Sequence, residues 1–331
     1  MMITVRELVA VGPHSAELFV DGRVVRYGDL EAATSYHFDG VDLVTLESIG
    51  ESRSLVVTMN DVHFGEIECG KFGADVSHVL RVGDNERPYP EVMNESVIAD
   101  ALSYEPDAVV VRGDLTSFGT LEEYEVFLSY YVSAFAERLT YVRGNHDSYP
   151  GNVYADWPVQ IVRTNGLAVV LLDTSRLHES SGFVSAEQCA AVSEFSANSS
   201  DPVIVMGHHP LFVPGVDRVD HFDGVRPEDS AVLISHMSRA NNVLAYSAGH
   251  THRCRRRDVE GVAIIEVACT KDFPGAWAEY QVGSTGVAQI VHRASGAQAI
   301  SWAERTRTMF DGYYGTYALG ELSDRCFVLG T

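Results

Sequence analysis

The chain has 331 residues, 46% of them hydrophobic, and a formal net charge of −22. That apolar fraction is enough for a sizeable buried core, and no apolar run is long enough for a membrane-spanning helix. Lysine occurs only at positions 71 and 271, and so acidic a surface repels a phosphate backbone, so a nucleic-acid partner is not expected.

The opening residues, Met1-Met2-Ile3-Thr4-Val5-Arg6-Glu7, lack a basic region followed by an apolar stretch. A secretory signal is therefore not expected, and the expected location is cytoplasmic. Residues 1–52 read as short alternating strands, for example 15–20 and 34–38, with turn signals at Asp21-Gly22 and Asp39-Gly40. They are expected to form a small β module or accessory strands beside the main body. From residue 53 the texture changes. Continuous apolar runs at 55–59, 108–111, 139–142, 168–172, 203–206 and 243–246 suit strands covered on both faces. Helical patterns lie between them, near 90–104, 120–138, 185–197 and 229–240. In the third, Ser185 can cap the first turn while Gln188 reaches back to it. Strands alternating with helices imply βαβ units and a largely parallel central layer.

After about residue 258 the pattern turns β-rich, at 262–267, 277–282 and 287–291, and predicts an antiparallel set completing a second sheet. The main body is expected to span 53–295. Residues 296–331, which contain Tyr313-Tyr314, form a C-terminal extension expected to pack on the body or on a partner subunit. Two long loops, 64–90 and 210–227, are candidates for shaping access to a site. Cys69, Cys189, Cys254, Cys269 and Cys326 show no paired spacing, so reduced thiols are expected rather than a zinc ribbon or a disulfide framework.

Five short blocks place oxygen or imidazole ligands just after the apolar runs: Asp61-Val62-His63, Gly113-Asp114, Gly144-Asn145-His146-Asp147, Gly207-His208 and Gly249-His250-Thr251-His252. Ligands in open α/β sheets bind outside the carboxyl ends of the strands, so the blocks should converge. If the first strand continues, its period of two points Asp61 and His63 the same way. Mixed oxygen and nitrogen donors without thiolates suit two divalent ions drawn from Mn, Fe, Zn and Co. Such a pair can clamp a phosphate and make hydroxide from water at neutral pH. Arg112 and Arg143, each preceding a block glycine, fit two roles, reaching a bound phosphate or pairing with the acidic surface, and the second is expected. The run Arg253 with Arg255-Arg256-Arg257 fits either a lure for anions or a solvated strand edge.

In this order the blocks resemble the calcineurin-like metallophosphoesterase superfamily, and the resemblance covers about residues 55–282. It implies a four-layer α/β/β/α sandwich and a dinuclear-metal phosphohydrolase acting on a phosphodiester or phosphomonoester of a small soluble substrate. It further implies that Asp61, His63, Asp114 and His252 hold one metal, and that Asp114, Asn145, His208 and His250 hold the other. His146 would approach the phosphate as a proton donor, with Asp147 orienting it. His208 takes the ligand position after the glycine, and His209 is the fallback. Residues 106–116, 122–124, 172–174 and 185–188 are similar to bacterial class III cyclic-nucleotide phosphodiesterases. Ser117 stands where purple acid phosphatases carry a tyrosine, so a purple ferric site is not expected. A nuclease or a non-catalytic scaffold on the same fold are the alternatives, and a homodimer is among the assemblies the resemblance leaves open.

Overall fold

The computed structural model describes residues 6–71, 76–151, 154–215 and 223–330. The chain enters as β1 (Arg6–Val11), β2 (Ala16–Val20) and β3 (Arg23–Tyr27), then β4 (Ser35–Phe38) and β5 (Val41–Val44). Next come β6 (Ser52–Met59), the short β7 (Glu68–Cys69) and β8 (Leu80–Arg81), α1 (Tyr89–Leu102), β9 (Ala108–Arg112), α2 (Leu121–Phe135), β10 (Leu139–Val142) and the single turn α3 (Asn145–Ser148). The middle of the chain forms β11 (Val159–Thr164), β12 (Leu167–Leu172), α4 (Ala186–Asn198), β13 (Val203–Met206), α5 (Pro227–Ser238), β14 (Val243–Ala248), β15 (Arg255–Val259) and β16 (Val262–Glu266). It closes with β17 (Ala276–Gly283), β18 (Gly286–Arg293), α6 (Ala297–Arg307), α7 (Tyr313–Leu319), α8 (Leu322–Arg325) and β19 (Phe327–Gly330).

Two six-stranded sheets carry the body, in the orders β10-β9-β6-β17-β18-β19 and β11-β12-β13-β14-β16-β15. Parallel strands form one half of the first sheet, β10, β9 and β6, and the centre of the second, β12, β13, β14 and β16, with antiparallel strands completing each. The strands are apolar on both faces because both faces are covered. Val57, Met59, Val109 and Val111 pack outward with Val97 of α1, Phe127 of α2 and Trp302 of α6. The intervening Val56 and Val110 face inward, against Val169, Ile204 and Ile265 of the second sheet. In that sheet Val170, Val205 and Ile264 point outward to Val192 of α4 and Leu233 of α5. This alternation of faces at every second residue yields helix, sheet, sheet, helix, the expected four-layer sandwich.

The capping box expected at Ser185 forms: Ser185 Oγ accepts from the Gln188 amide at 3.2 Å and Gln188 Oε1 accepts from the Ser185 amide at 2.9 Å. Both turn signals form two-residue hairpins, with φ of +49° and +80° at Asp21 and Gly22 and the same values at Asp39 and Gly40. One expectation is corrected. The strands after residue 258 do not all complete the second sheet. β15 and β16 do, but β17 and β18 cross to the first sheet, where β17 lies antiparallel to β6. Hydrophobic patterning marks a strand as doubly covered but does not say which sheet receives it. Of the two long loops, residues 72–75 and 216–222 lie outside the described residues, as do Met1 to Val5 of the opening stretch. No helix among the described residues is long and apolar enough to cross a membrane.

Residues at both ends pack on this body. α6 lies against α1, with Tyr89 and Trp302 stacked at 4.2 Å, and β19 pairs with β18. Val9, Leu18 and Phe19 of the N-terminal sheet pack with Ile290 and Ile300. A buried ionic link joins the same layers: His292 of β18 lies 3.1 Å from Glu17 of β2 and 2.8 Å from Glu279 of β17. Burial opposes the charge on His292, but Glu17 and then Glu279 outweigh it and raise the imidazole to about 9. Because its folded value lies above the ordinary 6.5, its stabilisation is complete below that ordinary value and disappears as pH rises through about 9. His292→Leu leaves Glu17 with Arg26 at 2.9 Å but Glu279 with only the neutral Gln281 amide at 2.9 Å, and should cost about 3 kcal/mol in urea unfolding at pH 6. The difference from wild type should shrink by pH 10, and a gap that stays constant with pH would contradict the charged state of His292.

Candidate metal centre

The five blocks follow β6, β9, β10, β13 and β14, so parallel strands of both sheets deliver them at their carboxyl ends. Backbone hydrogen bonds lace the loops together. The amides of Val62 and His63 donate to the Asp114 carbonyl at 3.0 and 2.9 Å, and the Gly249 amide donates to the His208 carbonyl at 3.0 Å. Asp61 and His63 converge differently from expectation. β6 ends at Met59, and Asp61 and His63 have φ of +52° and +49°. Left-handed turns aim them, where a continued strand was expected. Asp114, His250 and His252 share this conformation at +48°, +67° and +54°, which L-residues other than glycine seldom adopt. The block glycines have a steric reason. A Cβ on Gly113 would lie 2.6 Å from the His208 ring, and one on Gly144 would strike the Asp114 carboxylate.

All seven candidate ligands meet. Asp114 Oδ2 lies 3.3 Å from both His63 Nε2 and His208 Nε2. Asn145 Oδ1 lies 3.0 Å from His208 Nε2 and 2.9 Å from His250 Nδ1, and its amide group donates to the Tyr149 hydroxyl at 2.8 Å. That contact turns the carbonyl oxygen toward the imidazoles. Asp61 Oδ1 lies 3.3 Å from His252 Nε2, and the His250 amide donates to both Asp61 oxygens at 3.0 and 3.1 Å. Donor atoms of Asp61, His63 and His252 lie within 4.8 Å of one another, as do those of Asp61, Asp114 and His208.

The donor atoms fit divalent cations. His208 Nδ1 faces the Arg112 carbonyl at 2.9 Å and therefore carries a hydrogen. Nε2 then faces two groups that only accept, Asn145 Oδ1 and Asp114 Oδ2, and such a nitrogen is satisfied by a proton or a cation. Without metal it takes the proton: Asp114 overcomes burial and raises His208 to about 9. Both ring nitrogens of buried His63 lack a well-formed hydrogen bond among the described residues, although carboxylates of Glu66 and Asp114 lie 3.1 and 3.3 Å away. Burial and Lys271 oppose charge on His63, but Glu66 and Asp114 raise it to about 10. Burial and His208 hold His250 down at about 4, in the neutral form that ligates metals. Asp114 is kept ionised against burial chiefly by His208 and His146.

Neighbouring groups depart from expectation. Asp147 does not turn toward the His146 ring. Its carboxylate accepts from the amides of Gly144, Leu115 and Thr116 at 2.7, 3.0 and 2.9 Å, and from the Thr116 hydroxyl at 2.6 Å. It thus clamps the Asn145 turn to the loop after Asp114. The ring is oriented by Ser117, whose carbonyl accepts from His146 Nδ1 at 2.7 Å. His209 engages Thr174 Oγ1 at 2.9 Å and the Ser180 carbonyl at 3.1 Å. Both of its nitrogens are thereby committed elsewhere. Arg112 is not at the surface: it is fully buried and donates to Asn60 Oδ1 at 2.7 Å and Ser247 Oγ at 2.5 Å. Arg143 pairs with Asp173 and Asp156 at 2.7 and 2.8 Å. Arg253 and Arg255 are buried against Glu266 at 2.9 and 2.7 Å, so they lure no anion, while Arg256 and Arg257 reach solvent on the edge strand β15, as the solvated-edge reading has it. All five cysteines are free and buried.

Glu66 and Lys271 escaped the sequence reading. Lys271 holds Glu66 at 2.6 Å, and Glu66 faces His63 Nδ1, the arrangement that orients a metal-ligating imidazole from behind. The rarity of lysine was the available signal.

Comparison with known proteins agrees with this geometry. A family model for calcineurin-like phosphoesterases matches residues 55–254, more than half of the chain, and the chain belongs to that family. It is 26% identical over 216 residues to a cAMP/cGMP dual specificity phosphodiesterase of Mycobacterium tuberculosis, covering 59% of this chain and 66% of that protein. It is 23% identical over 187 residues to a probable cyclic nucleotide phosphodiesterase of Ruthia magnifica, covering 53% of this chain and 75% of the relative. Among solved structures, a dimetal phosphatase from Danio rerio superposes with a TM-score of 0.58 at 14% identity, over 72% of this chain and 96% of that one. A purple acid phosphatase from yellow lupin gives 0.52 at 12% identity, over 87% and 59%. These two share the fold.

Metal stoichiometry separates the neighbouring histidines. His208→Ala should lower bound manganese by one equivalent in elemental analysis, whereas His209→Ala should leave the content unchanged. The reverse pattern would exchange their assignments.

Proposed function

We propose that this calcineurin-like phosphoesterase is a dinuclear-metal phosphohydrolase that cleaves the phosphoester of a small substrate. The observation that carries the reading is the Asp114 carboxylate oxygen, equidistant at 3.3 Å from His63 and His208. One oxygen so placed is suited to serve two cations at once. Asp61, His63, Asp114 and His252 would hold one ion, and Asp114, Asn145, His208 and His250 the other. When bound, the ions supply Lewis acidity for the phosphoryl oxygens and lower the pKa of water.

The chain's own groups do the rest. Water adds to phosphorus as the bond to the ester oxygen breaks, and one proton must reach the departing alkoxide. His146 is placed to handle that proton: Ser117 fixes its Nδ1, and it lines the cavity with His63, Asn145, His250 and His252. Burial lowers its pKa, and the negative charge of a phosphate in contact would act in the opposite direction, toward the protonated form. Lys271 and Glu66 hold His63 in place, and Asp147 fixes the turn that carries Asn145 and His146.

A diester is the favoured substrate. The two curated relatives are named as cyclic nucleotide phosphodiesterases, and a diester carries one negative charge into an acidic protein, where a monoester carries nearly two. Parallel assays with bis-p-nitrophenyl phosphate and p-nitrophenyl phosphate in manganese should favour the diester. Asp114→Ala should lose bound manganese and turnover together, and retained turnover would remove Asp114 from the bridging role. His146→Ala should keep its metal and lose about 10²–10⁴ in kcat; a loss of metal instead would make His146 a structural residue.

A further inference from the structure

The cavity that holds the candidate metal centre has a volume of about 730 Å³, far more than a phosphate group fills. Much of its remaining wall is aromatic. Phe118 and Tyr149 come from the turns after Asp114 and Asn145, and Phe310, Tyr313 and Tyr317 come from the C-terminal segment. Phe118 and Tyr313 are 62% and 66% exposed. Isolated exposed aromatics are common on proteins, but these line one concave site beside the histidine cluster.

Two further observations single out the C-terminal segment. Phe310 and Asp311 have φ of +54° and +56°, a conformation that is an outlier for a bulky side chain and that accumulates at ligand sites. The segment is also fastened to the ligand blocks themselves. Tyr317 donates to the carbonyl of Thr251, between His250 and His252, at 2.8 Å, and Tyr314 donates to Asp272 at 2.6 Å. The aromatic wall therefore sits at a fixed position relative to the candidate metal ligands.

Charge narrows the ligand. The lysines lining the cavity among the described residues are already engaged, Lys271 by Glu66 and Lys71 by Glu68. A second phosphate would compete with Glu66 for the buried Lys271 and with Glu68 for Lys71 at the rim, while a neutral flat ring would find aromatic faces.

We infer that residues 309–317, with Phe118 and Tyr149, form a subsite for a flat aromatic ring carried by the substrate, which makes the substrate a small phosphodiester bearing an aryl or heteroaromatic group. This rests on the phosphohydrolase reading and adds the selecting residues to it. The test uses phenyl p-nitrophenyl phosphate and ethyl p-nitrophenyl phosphate, which release the same p-nitrophenolate and differ in the retained group. The manganese-loaded protein should prefer the phenyl ester in kcat/KM by at least about fivefold, the low end of ring stacking. Tyr313→Ala and Phe118→Ala should each move that ratio toward one, chiefly through KM, while Tyr313→Phe retains it. General damage to the fold would instead lower both esters equally and leave the ratio in place. Calorimetry with phenylphosphonate and methylphosphonate reads the same preference without turnover. A ratio near one in wild type together with equal affinity for the two phosphonates, or a ratio that survives both alanine variants, overturns the subsite. If neither ester is cleaved and phenylphosphonate still binds more tightly, the ring subsite stands and the hydrolase reading falls.

Discussion

The Asp114 carboxylate lies in the interior with the imidazoles of His63 and His208 each 3.3 Å from one of its oxygens. An anion there without compensating charge would cost several kcal/mol, and much of the surrounding architecture answers that demand. The His146 amide donates to its other oxygen at 2.9 Å. Asp147, a second buried carboxylate close by, is satisfied by three backbone amides and a hydroxyl, and these bonds lock the two loops that frame Asp114. Five ligand-type residues accept left-handed backbone at about 1–2 kcal/mol each. Hydrogen bonds between loops hold them in that state, since none of these turns would persist alone. The framework thus spends its regularity in the sandwich and its strain at the strand ends, where the charges meet.

Much of the architecture was legible in the sequence, and the reasons can be named. Runs such as 108–111 and 168–172 are apolar throughout because alternate residues enter different cores, and that pattern survives without knowledge of partners. The block glycines were legible as punctuation and proved to be steric clearances for His208 and Asp114. Sheet membership of β17 and β18 was not legible, since antiparallel pairing with β6 depends on a crossover that local pattern does not encode. Nor was the route by which Asp61 and His63 converge. The right neighbours were expected through strand periodicity, and the chain achieves them through positive φ.

The site's surroundings were less legible than the site. The family resemblance implied that Asp147 orients His146, but on a one-turn helix neighbours diverge, and the carboxylate finds the amides of the facing loop. Arg112 in an acidic chain suggested a surface pair. Instead its guanidinium is buried between the sheets on Asn60 and Ser247, neutral acceptors that charge patterning does not reveal. Glu66, Lys271 and the aromatic residues of the C-terminal segment act across long sequence separations. Single-residue types without spacing rules give no warning of such contacts.

The segment from Met309 to Leu319 is pinned on both flanks, by α6 stacked on α1 and by β19 hydrogen-bonded to β18. Its two anchors belong to the rigid sandwich, and between them Phe310, Tyr313 and Tyr317 line the cavity while Ala318 packs in the core. Such an arrangement behaves as an exchangeable cassette. Over evolutionary time its lettering can drift toward a new clientele while the catalytic floor is inherited intact, and a protein engineer could shuffle the same stretch for the same purpose.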